Sequence, residues 1–482
     1  MHPRPILNFL GLLVLFLGLS MAVPLAVSIV FEDGGADALA LSMAASSAAG
    51  LLLFLSTRSR EEVQLGHRDG AAIVALGWAL AGLVGTLPYL LSGAVPGFTN
   101  AYFESISGFT TTGASILSDI EALPEGILLW RSLTQWFGGM GIIVLSVAIL
   151  PYLGIGGMQL YKAEVPSPVV DKLKPRISET AKTLWRIYIL LTAVEILLLL
   201  AGGMSLFESA CHAFCTMPTG GFSPMNAGVA HYESAYFDGV ILVFMLMAGV
   251  NFSLHYRFMK GNLSAFPRDP EFLAFLGLFA AFTLAVTLDI HGSIHRSLSE
   301  AFRYASFQVG SILTTTGFAT ADFDRWPACS RLILLLSMFI GGMAGSTGGG
   351  IKVMRIVLLA KHAHREVRRI IHPHAVISVK LGGKAVADEV LSSVWGFFLL
   401  FVGLFVVSTL VMAAIGLDLV TAVSSVAASI GNIGPGLGAV GPVRNYLGIP
   451  EAGKWVLIFC MLLGRLEVYT VIVLLVPEYW RR

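Results

Sequence analysis

The chain has 482 residues, 56% of them hydrophobic and only 13% charged, with a mean hydropathy of +0.79. Soluble domains carry roughly 25% charged residues, so a soluble globular protein is excluded. A net charge of +1 offers no basic face to nucleic acid and no pull toward a strongly charged partner. What remains is an integral membrane protein, with the lipid bilayer as its first partner.

In chain order, the first apolar stretch covers 5–30. It is too long for a signal peptide and lacks a small-residue cleavage site, so it reads as a retained span. The acidic turn "FEDGGAD" (31–37) leads to a second span at 38–57. Further spans of roughly 20 apolar residues fall near 71–92, 126–153, 184–204, 236–256, 271–290, 328–360, 391–415 and 453–477, an expectation of ten in all. The stretches 58–68, 162–176, 255–269 and 361–374 and the terminal "WRR" are basic and fall on one side of the alternation. The positive-inside rule makes that side, and both termini, cytoplasmic. Cys211, Cys215, Cys329 and Cys460 form no ligand pattern and read as small apolar fillers.

Between the spans of each later pair lies a semi-polar stretch too short to cross: 99–115, 205–224, 299–323 and 420–442. Each opens as a small-residue helix and ends in a glycine turn, an internal repeat of span, half-helix, loop, span. The words are "GFTTTGAS", "MPTGGFSP", "ILTTTGFATADF" and "GNIGPGLG". Stacked on their glycines they align Thr111-Thr112-Gly113, Pro218-Thr219-Gly220 with Gly221 following, Thr315-Thr316-Gly317, and Asn432-Ile433-Gly434. Phe103 matches Phe307 and Ser107 matches Ser311 at the same offsets. The expected units are 1–66 (a two-helix extension), 67–160, 161–260, 261–372 and 373–482.

Threonine runs make poor helix, because β-branching restricts χ1 and the hydroxyls compete for backbone hydrogen bonds. Small residues also serve plain helix packing in membranes, so one such word alone would be structural. Four at equivalent places point to a shared site. Non-helical backbone survives at membrane depth only where protein buries it or it lines a watery cavity. Carbonyls exposed at glycine turns replace the hydration shell of an alkali cation, and half-helix C-termini aimed at the same place favour it further.

Two other features break the apolar pattern. The span 328–360 is interrupted by "GGMAGSTGGGIK" (341–352), which includes Gly345, Ser346, Thr347, Gly348, Gly349, Gly350 and Lys352. Glycines there either allow tight packing or form a mobile loop that blocks a path. The span 453–477 carries Arg465 and Glu467, which two-residue spacing points to different helix faces. Arg465 is either a structural lock to another helix or a charge facing the path. Glu195 reads as packing or helix pairing; Glu104 and Glu208 read as satisfying half-helix N-termini or attracting cations. No HExxH, GxSxG or Ser/His/Asp layout is present, so an enzyme is not expected.

Taken together with "GGMAGSTGGGIKVMR" (341–355), these words resemble the Trk/Ktr/HKT superfamily of cation transporters, and within it the bacterial Trk-type potassium-uptake membrane subunits. The resemblance covers essentially the whole chain and implies an all-α polytopic fold of four membrane–pore–membrane repeats around one pore, plus two N-terminal helices. It implies potassium as the transported ion, filter strands at the four glycine words, and potassium preference from Gly113. It further implies a gate at 345–350 with Lys352, Arg465 projecting under the filter, and a homodimer in the bacterial inner membrane. The partner it implies is a cytosolic ring of regulatory subunits binding NAD/NADH or ATP/ADP, docked on 162–176 and 361–374. A proton- or sodium-coupled symporter stays open as the alternative, although such carriers tend to place charged coordinating residues at a midplane site.

Overall fold

The structure, a computed structural model, describes residues 2–58, 66–141, 177–375 and 377–480. Helices α1 (Pro3–Ser20) and α2 (Ala22–Phe31) form one apolar span, and α3 (Ala36–Thr57) returns beside it. The α1–α3 contact is made by glycine: a Cβ on Gly50 would stand 2.4 Å from the Leu15 amide nitrogen, and one on Gly11 2.6 Å from that of Phe54. Lipid tails are as apolar as leucine, so van der Waals contact between close backbones is what joins such helices.

The same sequence of elements then recurs four times. In the first unit α4 (His67–Leu91) is followed by the short α5 (Phe98–Phe109), a turn, and α6 (Glu125–Gly139). The second has α7 (Ile177–Ala201), the short α8 (Leu206–Thr216), and then α9 (Ala235–Ala248) and α10 (Phe252–Met259). The third has α11 (Pro270–Ile290), the short α12 (Leu298–Leu313), and then α13 (Ala328–Ser337) and α14 (Val353–Ile371). The fourth has α15 (Asp388–Ala414), the short α16 (Leu419–Ile430), and then α17 (Glu451–Arg465) and α18 (Tyr469–Leu475). The short helices start on caps where the sequence supplies them: Ser205 accepts from the Glu208 amide and Asp418 from the Thr421 amide at 3.0 Å. Hydrogen bonds from Thr421, side chain first and backbone second, hold the Asp418 carboxyl below the ordinary aspartate range.

Among the described residues six stretches are long and apolar enough to cross a membrane, and the bent pair α9–α10 makes a seventh. The sequence leads one to expect ten unbroken spans apart from 328–360, and the difference lies in the second long helix of each unit. The expected span 236–256 bends by 100° between α9 and α10. The expected span 453–477 breaks after Arg465, where Glu467 and Val468 take left-handed backbone. The interruption of 328–360 runs from Ser337 to Val353, wider than the glycine run. Of 126–153 only the part through 141 lies within the described residues, and so does neither the 162–176 loop nor the boundary at 160/161.

The α1–α3 contact is directly testable. Gly50→Val forces two methyl groups into a backbone-to-backbone approach, an overpacking defect of about 1–3 kcal/mol. A lower melting temperature of the purified chain in detergent is the expected result; no change would show that these helices do not bear on each other as described.

Candidate ion-binding site

The four turns after the short helices share one backbone geometry. Thr111, Thr219, Thr315 and Asn432 lie in the left-handed region at φ 54°, 57°, 61° and 54°, and two residues on Gly113, Gly221, Gly317 and Gly434 do so again at 79°, 75°, 87° and 99°. A β-branched residue at positive φ is costly, about 1–3 kcal/mol, and persists only where the surroundings over-determine it. What fixes it here is a repeated bond: the amides of Thr112, Gly220, Thr316 and Ile433 reach back to the carbonyls of Ser107, Cys215, Ser311 and Ala428 at 2.8–2.9 Å.

That geometry corrects the sequence alignment of the second turn. Gly221, not Gly220, matches Gly113, Gly317 and Gly434; Gly220 takes the place of Thr112, Thr316 and Ile433. Pro218 therefore drops out of the turn proper and Thr219 joins Thr111 and Thr315, so only Asn432 departs from threonine at that level. A Gly-Gly doublet offers two registers to a reader of sequence, and only the backbone decides between them.

The turns also close into a ring. A Cβ built on Gly113 would lie 2.1 Å from the Gly220 carbonyl oxygen, and one on Gly221 2.1 Å from that of Thr316. One on Gly317 would lie 1.8 Å from the Ile433 oxygen, and one on Gly434 2.7 Å from the Thr112 oxygen. Each glycine thus sits against the carbonyl of the next turn, and the fourth returns to the first. No side chain fits at these places. The C-terminal ends of α5, α8, α12 and α16, with their partial negative charge, feed directly into the ring. Among the described residues, Thr111 Oγ1 and Asn432 Oδ1 are buried here without a hydrogen-bond partner. Buried oxygens left open in this way suit a desolvated cation.

The Gly-rich segment lies directly against this ring; it is bonded to the second and third units itself and linked to the fourth and first through Arg465. Thr347 Oγ1 donates to the carbonyls of Met217 at 2.9 Å and Ala248 at 3.2 Å, and the Gly349 amide donates to Thr315 Oγ1 at 2.7 Å. Arg465 donates to the carbonyl of Thr347 at 2.8 Å and to those of Gly138 and Gly139 at 2.5 and 3.0 Å. Lys352 Nζ bonds the Gly348 carbonyl. A Cβ on Gly349 would meet the Gly431 oxygen at 2.4 Å, whereas Gly345 is exposed, Ser346 is half-buried, and Gly350 needs its glycine for φ 61°.

Arg465 and Glu467 do not pair, as their spacing implied. Glu467 instead bonds Arg355. Glu104 is not near a helix start: it stands in the second half of α5, fully buried, paired with Arg131 at 2.7 Å. Glu208 is in the first turn of α8, as expected. Glu195 is fully buried on α7, with Thr216 of the short α8 beside it.

Three residues that the sequence reading did not single out belong to this site. Gln135 donates to the Gly220 carbonyl at 2.7 Å and accepts from the Phe222 amide at 3.1 Å. Tyr446 donates to the Gly434 carbonyl at 2.6 Å. Glu271 accepts from the Ala344 and Met354 amides at 2.8 and 2.9 Å, clasping both ends of the Gly-rich segment. A glutamine and a glutamate beside apolar runs were the available signals.

A bilayer-spanning helical protein whose irregular turns converge on one ring of carbonyls has the architecture of an ion-handling membrane protein. The comparisons agree with that class. The family model for TrkH, cation transport protein, matches residues 36–482. The chain is 45% identical over 490 residues to the Trk system potassium uptake protein TrkH of Salmonella typhimurium, and 45% identical over 488 residues to that of Escherichia coli K12. Both alignments cover 100% of each chain. The crystal structure of the potassium transporter TrkH from Vibrio parahaemolyticus superimposes with a TM-score of 0.90 at 40% identity, covering 100% of both chains. The chain belongs to the TrkH family, a family of multi-pass membrane transport proteins and not of enzymes.

Glu271→Ala removes both clasps on the Gly-rich segment. Hydrogen bonds to a carboxylate are worth about 1.5–3 kcal/mol each, so amide exchange across 341–354 should quicken at least about tenfold. Exchange at the rate of the unsubstituted chain would mean that the segment is held by its other contacts alone.

Proposed function

We propose that this chain is the membrane subunit of a Trk-type potassium-uptake system, passing potassium ions in file through the ring of four turns. The observation that carries the proposal is the closed ring in which each glycine abuts the carbonyl of the next turn. Thr111, Thr112, Gly113, Thr219, Gly220, Gly221, Thr315, Thr316, Gly317, Asn432, Ile433 and Gly434 are the filter. Its groups are neutral dipoles, strong enough to replace hydration and too weak to trap an ion. The relatives' names supply the ion, potassium.

Residues 345–350 act as the gate, with Lys352 and Arg465 holding it against the ring. Helix α14 runs unbroken from the end of that segment through most of the basic stretch 361–374. A cytosolic nucleotide-binding subunit docked on that stretch would have a rigid lever on the gate; 162–176, the other proposed contact, lies outside the described residues. The chain works as a homodimer in the bacterial inner membrane, with both termini cytoplasmic. Glu195, a fully buried carboxyl within α7, is the observation that favours the second reading, an ion-coupled carrier.

Flux into proteoliposomes holding this chain alone tests both. Voltage-driven flux that prefers potassium and ignores a pH gradient is expected; dependence on a proton or sodium gradient would replace the channel reading with the carrier. In the same vesicles Gly113→Ser puts a side chain where a Cβ already overlaps the Gly220 oxygen, and sodium should pass more freely. Unchanged selectivity would count against the filter.

Arg465→Ala frees the Thr347 carbonyl and removes a positive charge beside the path, so basal potassium flux should rise. No change would leave Arg465 a structural lock.

A further inference from the structure

Counting back nine positions from Gly113, Gly221 and Gly317 gives Glu104, His212 and Gln308, three different polar residues. All are fully buried on the short helices. Each reaches across its own turn to the segment that leaves the ring. Glu104 accepts from Ser115 Oγ at 3.0 Å and the Ile116 amide at 2.9 Å. Gln308 Nε2 donates to Thr320 Oγ1 at 3.1 Å. His212 Nδ1 lies 2.9 Å from the Glu208 carbonyl, which can only accept, so Nδ1 carries the proton. That leaves Nε2 to accept from the Ser223 hydroxyl at 3.2 Å.

The fourth unit reaches the same end by another residue. Ser425, at the equivalent position, turns back to the Ala422 carbonyl, and its neighbour Ser424 donates to the Leu437 carbonyl at 3.0 Å and accepts from the Leu437 amide at 2.9 Å. The first and second tethers are joined: Arg131, paired with Glu104, also donates to the Ser223 carbonyl at 3.0 Å and lies 3.5 Å over the Phe222 ring.

We propose that Glu104, His212, Gln308 and Ser424 are positioning residues that set the cation discrimination of the ring. The proposal rests on reading the ring as a cation filter. Each turn is anchored at its start by the bond back to its own helix and at its exit by the tether. With both ends fixed, the carbonyls between them cannot draw inward around a smaller ion, and preference for the larger ion follows from that resistance. Satisfying buried backbone alone does not account for the tethers. The Gln308–Thr320 bond joins side chain to side chain, and two apolar residues of similar shape could replace that pair with no backbone group left open; Ser223, which His212 meets, also accepts from the Met225 amide at 3.0 Å.

The decisive variant is Thr320→Val, which keeps the shape and deletes the hydroxyl, with Thr320→Ser as the conservative control. Potassium and sodium fluxes are measured on the full chain in proteoliposomes. The potassium-to-sodium ratio should fall by a factor of about 3–10 in Thr320→Val, as expected for one lost hydrogen bond, and stay near its original value in Thr320→Ser. Gln308→Leu combined with Thr320→Val should lower it no further than the single change, because both remove one bond. Ser223→Ala should give the same kind of fall in the second unit, reported in the same ratio. An unchanged ratio in both Thr320→Val and Ser223→Ala, even with lower total flux, overturns the proposal. Gly113→Ser run alongside separates the two readings. If it shifts the ratio while the tether variants do not, the filter stands and the tethers fall; if it shifts nothing, both fall.

Discussion

The constraint on which this structure depends is that a bilayer offers backbone amides and carbonyls no water. Each unit contains a stretch that is not helix at membrane depth, and each is viable only because protein surrounds it. The four turns satisfy this together. Their first amides bond back to their own helices, and their glycines let each turn press against a carbonyl of the next. A turn taken singly would leave several polar groups unmatched. Four in a ring meet that need together, each glycine lying against a carbonyl of the next turn.

The same constraint explains the broken second helices. Where α9 gives way to α10, the Asn251 side chain caps the new helix and the Phe252 amide bonds the Gly345 carbonyl. The Met343 and Thr347 amides bond the carbonyls of Gly249 and Ala248 in return. The break in the second unit and the Gly-rich segment of the third therefore complete each other. Neither would be stable in hydrocarbon alone, which is why irregular backbone from separate units collects at one depth beneath the ring.

Much of this was legible in the sequence, and what was not has physical reasons. The long helices α3, α4, α11 and α15 follow from apolar length, and the four turns from glycine words between small-residue helices. The register of the second turn was not, because either member of the Gly220-Gly221 doublet fits a glycine turn until the bond to Cys215 is seen. The break after Arg465 has no sequence mark: Glu467 and Val468 at positive φ are the reverse of what propensity favours, and the Glu467–Arg355 contact together with the bond from the Val468 amide to the Leu463 carbonyl at 2.8 Å holds them there. Glu104 looked like a helix-start carboxylate because its partner, Arg131, lies in another helix, and single-sequence reading sees no such pairing. The four glycine turns carried their mark in the sequence words, and the backbone brings them together. The residues that brace them, Gln135, Glu271 and Tyr446, are solitary polar side chains whose meaning lies in backbone groups brought to them by the fold.

The way the Gly-rich segment is fastened differs in kind from the way the helices are packed. Apolar burial holds α5 against α4 and α6 through Phe103, Phe109 and Trp130, each fully buried, and releasing such contacts costs several kcal/mol apiece. The segment from Gly345 to Gly350 brings almost no apolar surface. It is held by separate hydrogen bonds from Thr347, Gly349, Arg465 and Lys352, each worth about 0.5–3 kcal/mol net. Bonds of that size can be exchanged one for another, whereas a packed core opens only as a whole. Two of the four are made by cationic side chains to backbone carbonyls of the segment itself, those of Thr347 and Gly348. Those carbonyls are dipoles of the kind that line the ring, already occupied by fixed positive charge. A segment so held keeps both carbonyls bonded to fixed positive charge, and its release would leave both open at once.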